Sequence, residues 1–296
     1  MKNVLIIFTL MLLGAGRSYA QLNPMGSMYF LNAYLANPAM AGTKKGMELN
    51  AGYKAQWQKL DGGPAMQAIT ASQAIGEGKV GLGVNFYNEV AGVIRRTSWK
   101  GSYAYHLPLD DYGRFWDLGL SAGIMYERLD MNRVRGDLSD PSVQNFNLRK
   151  PYFDGDFGMG YRDDHLRLQL SIPNLKRLFS QQLSESAVDR SMYMVSAAYT
   201  FLLYERSVNS IEPMVVFRGI ENFGNLWDAG CRVEMEQSKL LVSGLYHSTG
   251  SVSVGAGTVY EQRLTIMVQH TTNTRALRNY ANGEFEIGLK YNISNK

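Results

Sequence analysis

At 296 residues with a single cysteine, Cys231, the chain is long enough for a full domain and has no partner for an internal disulfide. Its 30 basic residues against 26 acidic ones leave a formal net charge of +4, a balance that favours neither nucleic acid nor an acidic substrate as partner. Past the first twenty residues no apolar run approaches the roughly 18 residues that a membrane-spanning helix needs.

The chain opens on a leader pattern over 1–20. Lys2 supplies a positive start, residues 4–13 (VLIIFTLMLL) a continuous apolar core, and Ser18 and Ala20 small residues at a cleavage site. Cleavage near Ala20 leaves Gln21 first and removes Lys2 and Arg17, so 28 basic residues face 26 acidic ones. Neither Ala20 nor Gln21 is cysteine, so nothing marks a lipoprotein. An uncharged segment follows over 21–42, carrying Met25, Met28, Tyr29, Phe30, Leu31, Tyr34 and Leu35. So much apolar surface should not hang free in water, so 21–45 is expected as a periplasmic arm or a lumenal plug. Its candidate contacts are Tyr29, Phe30, Asn32, Asn37, Pro38 and Gly42.

From residue 46 onward, alternating segments recur. They fall at 46–57, 65–75, 80–87, 96–107, 115–127, 152–161, 165–172, 192–203, 208–217, 225–236, 239–246, 251–259, 263–270 and 283–293. Gaps after the even segments are short (GEGK, PLDDYGR, RDD, YERS, QS, YEQ). Gaps after the odd ones are mostly long, including NEVAGVIR, 128–151 and 173–191; HSTG is the short exception. This predicts an all-β fold over 46–296. The form expected is a transmembrane antiparallel β-barrel of about 14 strands, with short periplasmic turns and longer extracellular loops.

The last segment states the pattern most clearly. Phe285, Ile287, Leu289, Tyr291 and Ile293 form one face, expected towards lipid; Glu284, Glu286 and Lys290 lie on the other, expected towards the lumen. Tyr53, Trp57, Trp99, Trp116, Tyr126, Trp227 and Tyr291 sit near strand ends, as aromatic girdles do. An open sheet edge in lipid would leave backbone groups unpaired, so the last strand must close on an early one. Gly81, Gly83, Gly119, Gly123, Gly158, Gly160 and Gly230 belong to the inner face, where they allow curvature or make room for a plug.

Catalytic and metal signals are weak. His106, His165, His247 and His270 are scattered without ligand spacing, and no nucleotide loop or serine elbow is present, so no enzyme activity, metal or cofactor is expected. Asp137, Asp140, Asp154 and Asp156 lack the spacing of a calcium loop. Residues 173–189 carry Leu175, Leu178, Phe179 and Leu183 at helical spacing, expected as a short helix in an outer loop.

Several motifs, in order along the chain, resemble the PorP/SprF family of outer-membrane proteins tied to type IX secretion and gliding motility. Asn37-Pro38-Ala39-Met40-Ala41-Gly42 matches its NPA-x-AG element, and Gln56-Trp57 with Gly63-Pro64 its QW…GxP element. Ser102-Tyr103-Ala104-Tyr105 matches its SYAY strand, while 151–160, 172–175 and 279–291 resemble its middle and final blocks. Met40 replaces a usual aromatic, and Ala55 a usual arginine whose pairing, if structural, is lost or passes to Lys54. The resemblance implies an accessory barrel of the cell envelope rather than an enzyme. Its implied partners are type IX secretion components, a periplasmic adaptor or lipoprotein, and the C-terminal sorting domain of a secreted adhesin, in a setting of outer-membrane lipid. The rival expectation is a passive outer-membrane diffusion channel.

Overall fold

The computed structural model describes residues 30–57, 62–134, 141–176, 192–203, 207–220, 224–237, 239–273 and 282–293. The expected leader, Tyr29, Asp137, Asp140 and most of the helix expected over 173–189 lie outside them. Fourteen strands follow in chain order. They are β1 (Met47–Gln56), β2 (Ala65–Ile75), β3 (Val80–Ala91), β4 (Ile94–Pro108), β5 (Phe115–Leu129), β6 (Tyr152–Arg162) and β7 (Leu166–Ile172). β8 is interrupted at Thr200 (Met192–Tyr199 and Phe201–Leu202). After it come β9 (Val208–Ile220), β10 (Gly224–Met235), β11 (Leu240–His247), β12 (Val252–Tyr260), β13 (Leu264–Thr271) and β14 (Glu284–Ile293). Each pairs antiparallel with the next, and β14 pairs with β1 from Met47↔Ile293 to Gln56↔Glu284, which closes the barrel. The start of β1 and the end of β14 therefore lie at one rim, here called the near rim.

All fourteen expected segments are strands, but one expected loop is not a loop. Asn88–Arg95 belongs mostly to β3 and β4, which meet across a two-residue turn at Gly92 and Val93. Its charges read as solvated loop in sequence. In space they pair across strands: Glu89 stands opposite Arg96, and Arg96 Nε donates to Glu127 at 2.7 Å. The strict alternation of short and long connections fails there.

The barrel is apolar outside and polar inside. Along β5, Trp116, Leu118, Leu120 and Ile124 are exposed, while Asp117, Ser121 and Glu127 are buried. On β14 Phe285, Leu289 and Tyr291 point out, and Glu284 and Glu286 are buried. Trp99, Tyr103, Phe153, Trp227 and Tyr246 add to the aromatic outer surface. Such a wall fits lipid. Replacing Leu120 with Arg should cost about 2–4 kcal/mol, the price of a cation at mid-bilayer, checked by urea unfolding in lipid vesicles.

The apolar core lies within the lumen, where residues 30–42 enter it. This strap contains α1 (Ala33–Ala36) and a 3-10 turn (Pro38–Met40). Phe30 packs on Met194, Ala198, Met214, Val216 and Leu245; farther along, Tyr34, Ala39, Met40 and Ala41 cluster with Ala104 of β4. Among the described residues another helix, α2 (Pro141–Asn147), stands in the β5–β6 connection, where Asn147 Oδ1 accepts from the Leu129 amide at 2.6 Å.

Candidate functional site in the barrel lumen

The strap is shaped by its own residues first. Asn32 caps α1, its Oδ1 accepting from the Leu35 amide at 3.1 Å. Asn37 then stops α1 and caps the 3-10 turn, its Oδ1 accepting from the Ala39 amide at 2.9 Å, and Pro38 sits where a fixed φ and a missing N–H are tolerated. Gly42 leaves the turn at φ +68°, a left-handed conformation that other residues rarely adopt.

The same side chains fasten the strap to the wall. Asn32 Nδ2 donates to Thr70 Oγ1 at 3.0 Å, and Tyr34 donates to Ser102 Oγ at 2.8 Å. Burial pushes the Tyr34 hydroxyl up to about 12, so it remains a neutral donor. Asn37 Nδ2 donates to the carbonyls of Met159 and Leu170 at 3.1 and 3.3 Å, bridging β6 and β7. Opposite these bonds the wall is bare. A Cβ added to Gly81 would overlap the Ala41 carbonyl, one on Gly83 the Tyr34 ring, one on Gly119 the Ala39 backbone, and one on Gly160 the Met40 methyl. Ala39 and Ala41 are fully buried against this surface, leaving no room for a larger side chain.

Two similar polar groupings brace the lumen. Towards the near rim, His106 Nδ1 lies 2.6 Å from Asp117 Oδ1, and Arg162 Nε donates to Asp117 Oδ2 at 2.9 Å. His106 Nε2 lies 2.9 Å from the Ala41 carbonyl. The ring thus meets two acceptors and donates to both only when both nitrogens carry hydrogen. At the far rim, Arg218 Nη2 donates to Asp228 Oδ2 at 2.6 Å, and His247 Nδ1 lies 2.7 Å from Asp228 Oδ1. His247 Nε2 in turn lies 2.7 Å from Ser253 Oγ, which shares a 2.5 Å contact with Thr271 Oγ1.

Serine, histidine and aspartate at these distances have the geometry of a hydrolase triad. Ser253 is fully buried, however, and its hydroxyl is already shared with Thr271, so no substrate carbonyl reaches it. The grouping is a structural brace. Ser253→Ala should lower stability by about 1–3 kcal/mol through the polar partners left unpaired. Wild type and variant should be equally unable to release acyl chains from a short-chain ester, measured by titration of free acid.

The remaining sequence-predicted residues divide between the two faces. Glu284 lies 2.9 Å from Lys54 Nζ and Glu286 3.9 Å from it, all three buried at the β14–β1 seam. Lys290 pairs with Glu48 at 2.7 Å and reaches the Leu31 carbonyl at 3.4 Å. Gln56, Trp57, Gly63 and Pro64 meet at the far end of β1: the Trp57 amide donates to Gly283 at 2.9 Å across the seam, the Gln56 amide donates to Pro64 at 2.8 Å in the β1–β2 connection, and Gly63 lies against the Gln56 and Trp57 carbonyls. Tyr103 and Tyr105 point outward, while Ser102 and Ala104, which alternate with them, face the strap. Sequence reading missed the two Arg–Asp–His groupings, because their members lie on different strands. Their one sequence signal is strand position: His106 and Asp117 stand on the inner faces of adjacent strands joined by a short turn.

Between strap and wall a cavity of about 40 Å³ remains, lined by Tyr34, Asn85, Lys100, Ser102, Ser121 and Asp156 among others. That is room for a few waters at most. Among the described residues, no three His, Cys, Asp or Glu side chains are grouped to hold a metal ion.

The model of the family described as "Type IX secretion system membrane protein PorP/SprF" matches residues 18–291. The chain belongs to the PorP/SprF family. Membership and fold together make it an outer-membrane β-barrel associated with the type IX secretion machinery. No curated protein matches the sequence. Among solved structures, the toluene transporter TbuX of Ralstonia pickettii is similar with a TM-score of 0.53 at 11% identity, over 88% of this chain and 93% of that one. Omp33 of Acinetobacter baumannii gives 0.47 at 8% identity, over 85% and 100%. The KdgM porin gives 0.41 at 11%, over 83% and 99%. At 11% identity the likeness to TbuX is one of fold. Within the PorP/SprF chain, the NPA-x-AG element is the part of the strap that lies against β3 to β7, and the SYAY strand is part of the wall it meets.

Proposed function

We propose that this PorP/SprF barrel is a closed, non-enzymatic accessory component of type IX secretion. In this reading the strap seals the lumen, so the barrel does not conduct solutes. It serves as a rigid outer-membrane platform that helps export or anchor a secreted adhesin-like substrate. The near rim faces the periplasm and meets an adaptor or lipoprotein; the outer loops meet the sorting domain of the substrate. The observation that carries the reading is the strap itself, whose backbone rests on wall positions that have no side chain.

Cross-linked affinity purification from native outer membranes, with partners identified by mass, tests it. The expected result is enrichment of type IX envelope proteins and one large secreted protein. Recovery of the barrel alone, under cross-linking that captures other envelope complexes, would count against it.

A further inference from the structure

The strap is held as a ligand is held. Arg232 Nη1 donates to the Phe30 carbonyl at 2.8 Å, Lys290 Nζ reaches that of Leu31 at 3.4 Å, and His106 Nε2 faces that of Ala41 at 2.9 Å. Three basic side chains on β10, β14 and β4 thus take the strap's backbone near its two ends. Asn32, Tyr34 and Asn37 fill the interval with bonds to Thr70, Ser102, and the Met159 and Leu170 carbonyls. Each of these bonds runs through a side chain; none is a rung of a β-ladder. Bare glycines supply the matching shape, including Gly158 beneath Asn37 and Gly288 beneath Leu31.

We infer that the lumen is a peptide-binding site whose resident occupant is the chain's own strap. The same site takes, in trans, a peptide carrying the run Asn-Pro-Ala, an unbranched apolar residue, Ala-Gly. Each position has a reason. Asparagine is needed because its amide donates to two wall carbonyls while its oxygen caps the turn. Proline presets the turn. The two alanines are fully buried, so a larger side chain would meet backbone. The apolar position lies against Gly160, and the closing glycine needs its positive φ. Binding would pay little ordering entropy, because the wall is already shaped.

This inference rests on the reading of the strap as a plug, and the test separates the two. A protease site is placed in the full chain at Thr43–Lys45, between the strap and β1, where both lysines are exposed. The folded protein is cut in detergent and mixed with a fluorescent synthetic peptide of residues 30–42. The expected result is saturable uptake of one peptide per barrel, read by anisotropy and reversed by unlabelled peptide. A peptide with Asn37→Ala should bind at least about ten-fold more weakly, from the loss of several hydrogen bonds to one side chain. His106→Ala in the barrel should speed release of the resident strap. A cut barrel that unfolds overturns the inference. So does one that stays folded yet takes up no peptide, with or without His106→Ala, or that binds the Asn37→Ala peptide equally well. Ion current through the cut barrel reports on the plug separately: a barrel that stays silent without exchanging peptide keeps the plug and loses the receptor.

Discussion

Gly119→Leu is expected to drive the strap out of the lumen. A side chain at this position has to occupy the space of the Ala39 backbone, which cannot rotate away as a flexible side chain would. Overpacking of this kind costs about 1–3 kcal/mol, and strap displacement relieves it at the expense of the bonds made by Asn37 and Tyr34. The measurement is limited proteolysis of the folded protein: residues 30–42, protected in wild type, should become cleavable, with a lower urea midpoint. Gly101→Leu on the neighbouring strand is the control. Nothing lies within 4 Å of a Cβ built there, and the position faces outward, so its effect should stay within about 0.5 kcal/mol. Equal sensitivity at both glycines would show that the inner glycines serve curvature and not the strap.

The second large effect belongs to the closing seam. Lys54→Met removes the ammonium between Glu284 and Glu286 and leaves two buried carboxylates facing each other. Removing one partner of a buried pair costs about 3–5 kcal/mol. The cost falls on the β14–β1 pairing that closes the barrel, so the folded band on unheated gels should weaken and unfolding should come at lower urea. Adding Glu284→Gln and Glu286→Gln to Lys54→Met should recover most of the loss, because the penalty comes from buried carboxylate charge that has lost its lysine. A triple variant no better than Lys54→Met would place the lysine's contribution in packing instead.

These predictions draw on two different scales of information. The barrel was legible because each strand carries a local period of two: Met47 to Gln56 and Glu284 to Ile293 show it plainly, and their pairing follows from the need to close the sheet. Within the uncharged 21–42 segment, Phe30, Leu31, Tyr34 and Met40 are apolar in sequence and buried in the structure. What sequence could not supply was distance in space. Asn37 reaches carbonyls 122 and 133 residues away, and Arg232 bonds to Phe30 across 202. His106 and His247 are scattered along the chain, yet each stands across a strand pair from its aspartate. Polar residues misled in the other direction at Asn88 to Arg95. There, cross-strand pairing of Glu89, Arg96 and Glu127 prolongs strands that local composition had ended.

The family motifs acquire separate tasks in this arrangement. Asn37 to Gly42 forms the strap's turn and exit, Ser102 and Ala104 its wall, and Gln56, Trp57, Gly63 and Pro64 the far end of β1, where it meets the chain before β2 and before β14. The central claim is that the strap closes the lumen. Planar-bilayer recording of the purified wild-type protein tests it most directly. The account predicts an electrically silent barrel, with current appearing after Gly119→Leu or after the strap is cut and washed out. A steady open-channel current from intact wild type would contradict it.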